Sequence, residues 1–146
     1  MAIKQVDVSD KPMVRREAVA RGFIKLRPET VKRIRENKVE KGDPLQVARL
    51  GGINAVKFTP MLLPLCHQLK IDNVLIETLL MDDGVEVVAR VKACERTGVE
   101  MEALTAVSVA LLNIWDVVKA YEKDERGQYP ETEITGIKVL EKLKEA

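Results

Sequence analysis

Aromatic residues, cysteine and histidine are scarce in this chain of 146 residues. Aromatic residues make up only 3% of it, so aliphatic side chains must form most of any core. Its 2 cysteines, Cys66 and Cys94, form no C-x-x-C pair and are too few for a disulfide framework. With 1 histidine, His67, the chain has too few nitrogen and sulfur ligands for an ordinary zinc site. We therefore expect no metal site of this kind.

An excess of charge of one sign is also absent. The 24 basic residues nearly balance the 23 acidic ones, for a net charge of +1, whereas nucleic-acid and membrane-surface proteins usually carry a basic excess. No apolar run looks long enough to span a bilayer, and the N-terminus lacks the apolar segment of a signal peptide. The sequence predicts a soluble, cytoplasmic protein without nucleic-acid or membrane partners.

Hydrophobic residues make up 46% of the chain, which is enough for one folded domain. Residues 1–20 are polar and without periodicity, and we interpret them as a flexible N-terminal arm. We expect a single domain over residues 21–146. Its predicted elements are a strand over 22–28, helices over 28–37 and 44–58, a hairpin of strands over 70–81 and 85–94, a helix over 101–121 and a final strand over 132–144.

The element order β-α-α-β-β-α-β predicts an α+β fold of the ferredoxin-like type. In that plan an antiparallel sheet carries its helices on one face. The opposite face of such a sheet stays uncovered, and association between subunits is a natural way to bury it. We therefore expect a homo-oligomer.

Two acidic residues, Glu100 and Glu102, flank Met101 at the start of the long predicted helix. In extended backbone the two carboxylates would point to one side, whereas in a helix they diverge by roughly 200°. The plainer interpretation is an acidic first turn, which the helix dipole favours. The pattern alone leaves both interpretations open.

Near the other end of this helix, Asp116 and Lys119 have the spacing of a surface ion pair. Lys41 stands beside Gly42 in a loop that enters a helix, where the free N–H groups could bind phosphate. The loop does not match a P-loop, so a solvated lysine is the competing interpretation.

The segment "PLCH", Pro64 to His67, presents the sharpest question. A lone histidine in an apolar run is more often a hydrogen-bonded core residue than a ligand. Composition alone favours that interpretation, and it makes the neighbouring Cys66 a packing residue.

Several segments in combination resemble the cyclic pyranopterin monophosphate synthase family of molybdenum cofactor biosynthesis. The most specific strings are "PLCH" and "TGVEMEALTA", and the similarity continues through nearly the whole chain. The other matching segments are "VDVSDK", "MVRREA", "KGDPLQVARLGGINAVK", "IWDVVKA" and "ITGIKVLEKLK".

The resemblance implies a lyase that converts 3′,8-cyclo-7,8-dihydro-GTP to cyclic pyranopterin monophosphate and releases pyrophosphate. It implies no redox cofactor and leaves a role for Mg²⁺ open. It also implies a hexamer, arranged as a trimer of dimers, with active sites at subunit interfaces. The competing hypothesis is a non-catalytic nucleotide- or pterin-binding regulatory domain, because fold alone does not decide function.

The resemblance also assigns roles to residues of this chain. The implied catalytic residues are Lys41, His67, Glu100, Glu102, Asp116 and Lys119. The implied substrate-binding residues are Asp7, Arg16, Cys66, Met101 and Lys142, although the argument from packing still applies to Cys66.

The sequence departs from the family pattern at two places. Gln68 stands where the family usually has proline, and the glycine- and lysine-rich tail of many members is missing.

On one straight helix, Glu102 and Asp116 would lie roughly 21 Å apart, at 1.5 Å per residue. One small-molecule site cannot easily use both ends of a single copy. We therefore expect an active site shared between subunits.

Overall fold

A four-stranded antiparallel sheet with helices on one face forms the fold in this computed structural model, which describes residues 1–145. Position 146, the last residue of the predicted domain, lies outside the described residues. The elements are β1 Val14–Lys25, α1 Pro28–Arg35, α2 Pro44–Leu62, β2 Asn73–Met81, β3 Gly84–Glu95, α3 Glu100–Glu122 and β4 Glu133–Glu145.

The strands lie in the order β2-β3-β1-β4, and each neighbouring pair is antiparallel. The chain forms β2 and β3 as a hairpin and reaches the other strands through helical connections, which pack against the sheet and against each other. The predicted α+β class and the order β-α-α-β-β-α-β are confirmed, and the arrangement agrees with the ferredoxin-like plan.

The start of β1 was predicted wrongly. The strand begins at Val14, not at Gly22, and its register runs from Val14 opposite Glu95 to Lys25 opposite Gly84. Arg16 occupies an inward position at 8% exposure, between buried Val14 and Ala18, so a charged residue interrupts the apolar alternation. Residues 14–20 therefore belong to the sheet, and only residues 1–13 precede it.

The core lies between the sheet and its helices. The alternate residues of β3 are all buried: Val85, Val87, Ala89, Val91 and Ala93. They face the apolar side of α3, where Val107, Leu111, Ile114 and Val118 are buried. Leu104, which precedes Val107 on the same side of the helix, is only half-buried.

Helix α2 begins as the sequence predicts and ends later. The Asp43 carboxylate accepts a hydrogen bond from the Leu45 N–H at 2.9 Å, which caps the helix before Pro44. The helix continues past the predicted end at Phe58 and includes Pro60 in its last turn. Gly52 lies against Ile76, where an added Cβ would come within 3.1 Å of its side chain, so this glycine allows close packing.

Helix α3 is long and apolar enough, by length and composition alone, to cross a membrane, with a mean hydropathy of 1.5 over its most apolar 18 residues. Its uncharged stretch runs only from Ala103 to Trp115, so the expectation that no apolar run spans a bilayer is not contradicted. Half of the 18-residue stretch is buried inside the fold. Burial against the sheet accounts for its composition.

Candidate functional site

A cavity of about 280 Å³ lies at the N-terminal end of α3 and gathers many of the predicted site residues. We call it the α3 N-terminal cavity. Its walls come from the arm, from the loop after α2 and from the first turn of α3. The lining residues that matter below are Lys11, Cys66, His67, Glu100, Met101 and Glu102.

Glu100 and Glu102 both belong to the first turn of α3, so the helical alternative is correct and their side chains diverge. Glu102 is 3% exposed. Among the described residues, Oε1 of Glu100 is buried and has no hydrogen-bond partner. The Nζ of Lys142 lies 3.6 Å from it. The ion pair with Lys142 is therefore the charged contact that this oxygen has among the described residues.

Burial raises the pKa of the Glu102 carboxyl, and the negative charge of Glu100 raises it further. A hydrogen bond from the backbone N–H of Glu102 lowers the pKa and offsets part of this rise. Glu102 therefore retains a proton at a higher pH than an ordinary glutamate. A carboxyl group of this kind can donate a proton to a bound substrate.

The imidazole of His67 is half-buried, and its Nε2 lies 2.6 Å from the carbonyl oxygen of Val6. A carbonyl only accepts, so Nε2 carries the hydrogen. The Gln5 amide donates to the carbonyl oxygen of Cys66 at 3.3 Å. The N-terminal arm thus lies across the "PLCH" segment and orients its histidine.

Cys66 and Asp7 have contrasting environments beside His67. Burial and the charge of Glu102 raise the pKa of the Cys66 thiol, which therefore stays protonated. The Asp7 carboxylate accepts from the hydroxyl and the N–H of Ser9, and these bonds lower its pKa. Asp7 is not among the residues that line the cavity. These environments support the packing interpretation of Cys66 and make Asp7 part of a local turn in the arm.

Arg16 lies outside the α3 N-terminal cavity. Its guanidinium donates to the carbonyl oxygens of Glu95 and Arg96, each at 3.3 Å. These residues are the last of β3 and the first of the loop that enters α3, so the contacts of Arg16 position the approach to that helix.

A second cluster lies at the C-terminal end of α3. The Nζ atoms of Lys41 and Lys119 are each 3.5 Å from Oδ1 of Asp116. Lys41 also donates to the backbone carbonyl oxygen of Asp116 at 3.1 Å. Two ammonium groups share one carboxylate, which leaves the cluster with a net positive charge. All three side chains are substantially exposed, so the cluster can bind an anionic group.

The two clusters belong to opposite ends of one helix. The polar residues at the N-terminal end include Glu102, and those at the C-terminal end include Asp116. Their backbone positions are separated by roughly 21 Å along the axis of α3, at 1.5 Å per residue. The structure therefore brings the predicted site residues together as two groups, and not as one, within a single chain.

Sequence reasoning missed three residues around these clusters. Lys11 lines the α3 N-terminal cavity, and Tyr121 contacts the loop that carries Lys41. The carboxylate of Glu122 is completely buried. Glu122 lies four residues after Val118, on the buried face of the helix. A charged residue in this apolar stripe could have indicated a buried carboxylate.

The chain is similar to known proteins over nearly its whole length. The model of the MoaC family matches residues 5–144. A protein of Aeropyrum pernix is 57% identical over 139 residues, which cover 95% of this chain and 95% of the relative. A protein of Sulfurisphaera tokodaii is 55% identical over 141 residues, covering 97% of this chain and 93% of the relative.

A third relative, from Pyrococcus abyssi, is 54% identical over 142 residues, which cover 97% of this chain and 89% of the relative. All three relatives carry the name "Probable cyclic pyranopterin monophosphate synthase". Matches of this extent are those of one family, and the chain belongs to the MoaC family.

Proposed function

We propose that this chain is a lyase of molybdenum cofactor biosynthesis that converts 3′,8-cyclo-7,8-dihydro-GTP to cyclic pyranopterin monophosphate and pyrophosphate. The match to the MoaC family and the names of the relatives support this activity. The observation in the structure that carries the proposal is the cationic cluster of Lys41 and Lys119 around Asp116, at the opposite end of α3 from a cavity lined by His67, Glu100 and Glu102.

The cationic cluster suits the triphosphate of the substrate. Closing the cyclic phosphate forms a new P–O bond at the α-phosphorus and breaks the bond to the departing pyrophosphate. Negative charge accumulates on that leaving group, and cations positioned beside it stabilise the transition state. In the proposal, Lys41 and Lys119 supply these cations, and Asp116 fixes their positions.

The α3 N-terminal cavity suits the ring chemistry. Opening and reclosing the rings requires proton transfers to and from the substrate. In the proposal, Glu102 donates a proton from its carboxyl form, which burial favours, and Glu100 accepts a hydrogen bond or proton from the substrate. His67 donates a hydrogen bond once the substrate replaces the Val6 carbonyl oxygen as its partner.

The separation of the clusters along α3 supports an active site shared between subunits. In the proposal, the cationic cluster of one subunit lies next to the α3 N-terminal cavity of another. A homo-oligomer is then required for activity, and a hexamer built as a trimer of dimers is the proposed form. We propose the cytoplasm as its location, without nucleic-acid or membrane partners.

The deciding experiment uses the purified full chain and the enzymatically prepared cyclic dihydro-GTP intermediate. We expect stoichiometric release of pyrophosphate and appearance of the cyclic pterin product, and we expect the Lys41→Ala variant to slow both to a small residual rate. Dialysis against a chelator tests whether Mg²⁺, which the resemblance leaves open, contributes to turnover. Folded wild-type protein that binds the intermediate without product formation would support the regulatory domain instead.

A further inference from the structure

Lys41 lies in a segment that has no regular structure to fix it. A turn surrounds it, closed by the hydrogen bond from the Gly42 N–H to the Val39 carbonyl oxygen at 3.1 Å. Gly42 has a φ angle of 124°, which favours glycine. The lysine side chain is also long and flexible, so the direction of its ammonium group depends on how the turn is fixed.

Tyr121 supplies a contact that fixes this turn. Its hydroxyl oxygen accepts a hydrogen bond from the Glu40 N–H at 2.9 Å. Glu40 immediately precedes Lys41 in the chain. The guanidinium carbon of Arg33, on α1, lies 4.4 Å from the centre of the Tyr121 ring, within the range of a cation–π interaction. The ring is thus held between α1 and the turn, with its hydroxyl aimed at the turn's backbone.

Tyr121 also belongs to the same helix as the acceptor that Lys41 contacts. Asp116 accepts from the Lys41 ammonium with its backbone carbonyl oxygen, and both residues are on the last turns of α3. The turn is therefore attached to α3 at two points, one through backbone and one through side chain. Removal of either attachment increases the range of positions open to the ammonium group.

We propose that Tyr121 is a positioning residue for Lys41, through the hydrogen bond from the Glu40 N–H to its hydroxyl oxygen. Its catalytic consequence rests on the proposed function, in which Lys41 binds the departing phosphates. Its structural consequence, the restraint of the turn, does not depend on that function.

The first test measures the restraint directly in the full chain. In Tyr121→Phe the ring and its contact with Arg33 remain, and only the acceptor is lost. We expect the Glu40 amide to exchange its hydrogen about fivefold faster, the size expected for one lost net hydrogen bond. We also expect acylation of Lys41 by acetic anhydride to rise about threefold relative to Lys57, a reference lysine on α2.

Tyr129→Phe is the matched control. It removes the hydroxyl of the other tyrosine, whose ring packs edge-on against Trp115 with centroids 5.3 Å apart. We expect this variant to leave the Glu40 exchange rate and the Lys41 acylation rate at wild-type values. Equal rates in wild type, Tyr121→Phe and Tyr129→Phe would overturn the proposal, whatever the enzyme does.

The second test measures the catalytic consequence. We expect Tyr121→Phe to lower kcat/KM for the cyclic intermediate by about tenfold, because misplacement of a catalytic group weakens its action on the transition state. In a Lys41→Ala background, measured in single turnover, the same substitution should have no further effect. An equal loss in both backgrounds would indicate general structural damage and overturn the positioning role.

The two tests separate two failures. If wild-type protein does not turn over the intermediate, the proposed function fails, while the exchange and acylation rates still decide the restraint of the turn. If wild-type protein is active and Tyr121→Phe matches it in kcat/KM, exchange and acylation, only the positioning role fails.

Discussion

The Nε2 atom of His67 lies 2.6 Å from the carbonyl oxygen of Val6, so the single histidine of the chain is oriented by the N-terminal arm. The contact fixes the tautomer before any substrate is present, and it places the hydrogen of the imidazole on the nitrogen that faces the arm. A substrate group with an acceptor oxygen can take the place of the Val6 carbonyl without a change of tautomer.

Replacing His67 with alanine should abolish this donor while the fold remains. We expect turnover of the cyclic intermediate to fall by at least about 100-fold, the usual lower range for loss of a catalytic acid–base or donor group. Steady-state release of pyrophosphate measures the loss. Gln68→Ala, an exposed neighbour, is the control. A His67→Ala enzyme with wild-type turnover and intact assembly would remove this residue from the site.

Mixing two inactive variants tests whether the active site is shared. Lys119→Ala damages the cationic cluster, and Glu102→Ala damages the α3 N-terminal cavity. Random mixing of the two kinds of subunit should restore roughly a quarter of wild-type activity if paired subunits exchange these groups across a twofold interface. The activity of each variant alone is the baseline. Mixed oligomers, verified by mass spectrometry, that stay at that baseline would contradict the shared site.

The raised pKa of Glu102 predicts a change in stability with pH. The folded state holds this proton more tightly than the unfolded state, so the free energy of unfolding falls as pH rises from the ordinary glutamate range, about 4.3, through the raised value. Glu102→Gln has no proton to lose and should remove that part of the decline. Urea unfolding of both proteins at a series of pH values measures the difference.

Glu125→Gln, on an exposed loop, serves as the control for this titration and should keep the wild-type pH dependence. Parallel curves for wild type and Glu102→Gln across the range would show that burial does not perturb this carboxyl group.

The buried carboxylate of Glu122 should be a major source of stability. It accepts from the Arg27 N–H at 3.1 Å, from the Thr132 hydroxyl at 2.6 Å and from the Thr30 hydroxyl. It thereby connects α3 to the start of α1 and to the approach to β4. In Glu122→Ala these donors lose their acceptor, and we expect a loss of about 3 kcal/mol in the free energy of unfolding.

Chemical denaturation followed by circular dichroism measures this loss. Glu125→Ala removes an exposed carboxylate from the following loop and should change stability by less than about 0.5 kcal/mol. A loss below about 1 kcal/mol in Glu122→Ala would mean that water or neighbouring groups replace the missing acceptor.

The parts of the fold that the sequence predicts well are those whose burial is periodic. The alternation in β3 and the apolar stripe of α3 locate both elements because one face of each is in the core. The start of β1 was misplaced because inward-facing Arg16 reads as polar, although its charge is satisfied by backbone carbonyl groups. Local pattern cannot reveal a partner that is distant in the chain.

Parts of the candidate site could also be predicted from the sequence, and other parts depend on contacts between distant residues. Spacing alone could not decide whether the side chains of Glu100 and Glu102 point to the same side of the backbone, since the answer depends on where α3 begins. Family resemblance selected both of them and Lys41. The contribution of Tyr121 could not be predicted, because the hydrogen bond that gives it a role joins Tyr121 to Glu40, 81 residues earlier in the chain. Tertiary contacts of this kind require coordinates.

Helix α3 fixes both the distance and the relative direction of the two clusters. An α-helix turns about 100° and advances about 1.5 Å for each residue. Inserting one residue between the clusters would therefore rotate Asp116 and Lys119 by more than a quarter turn relative to Glu102, whatever the composition of the insert. The surface loops have no such constraint. Changes in length are thus tolerated in the surface loops but not in the middle of this helix, which keeps the angle between the two clusters constant.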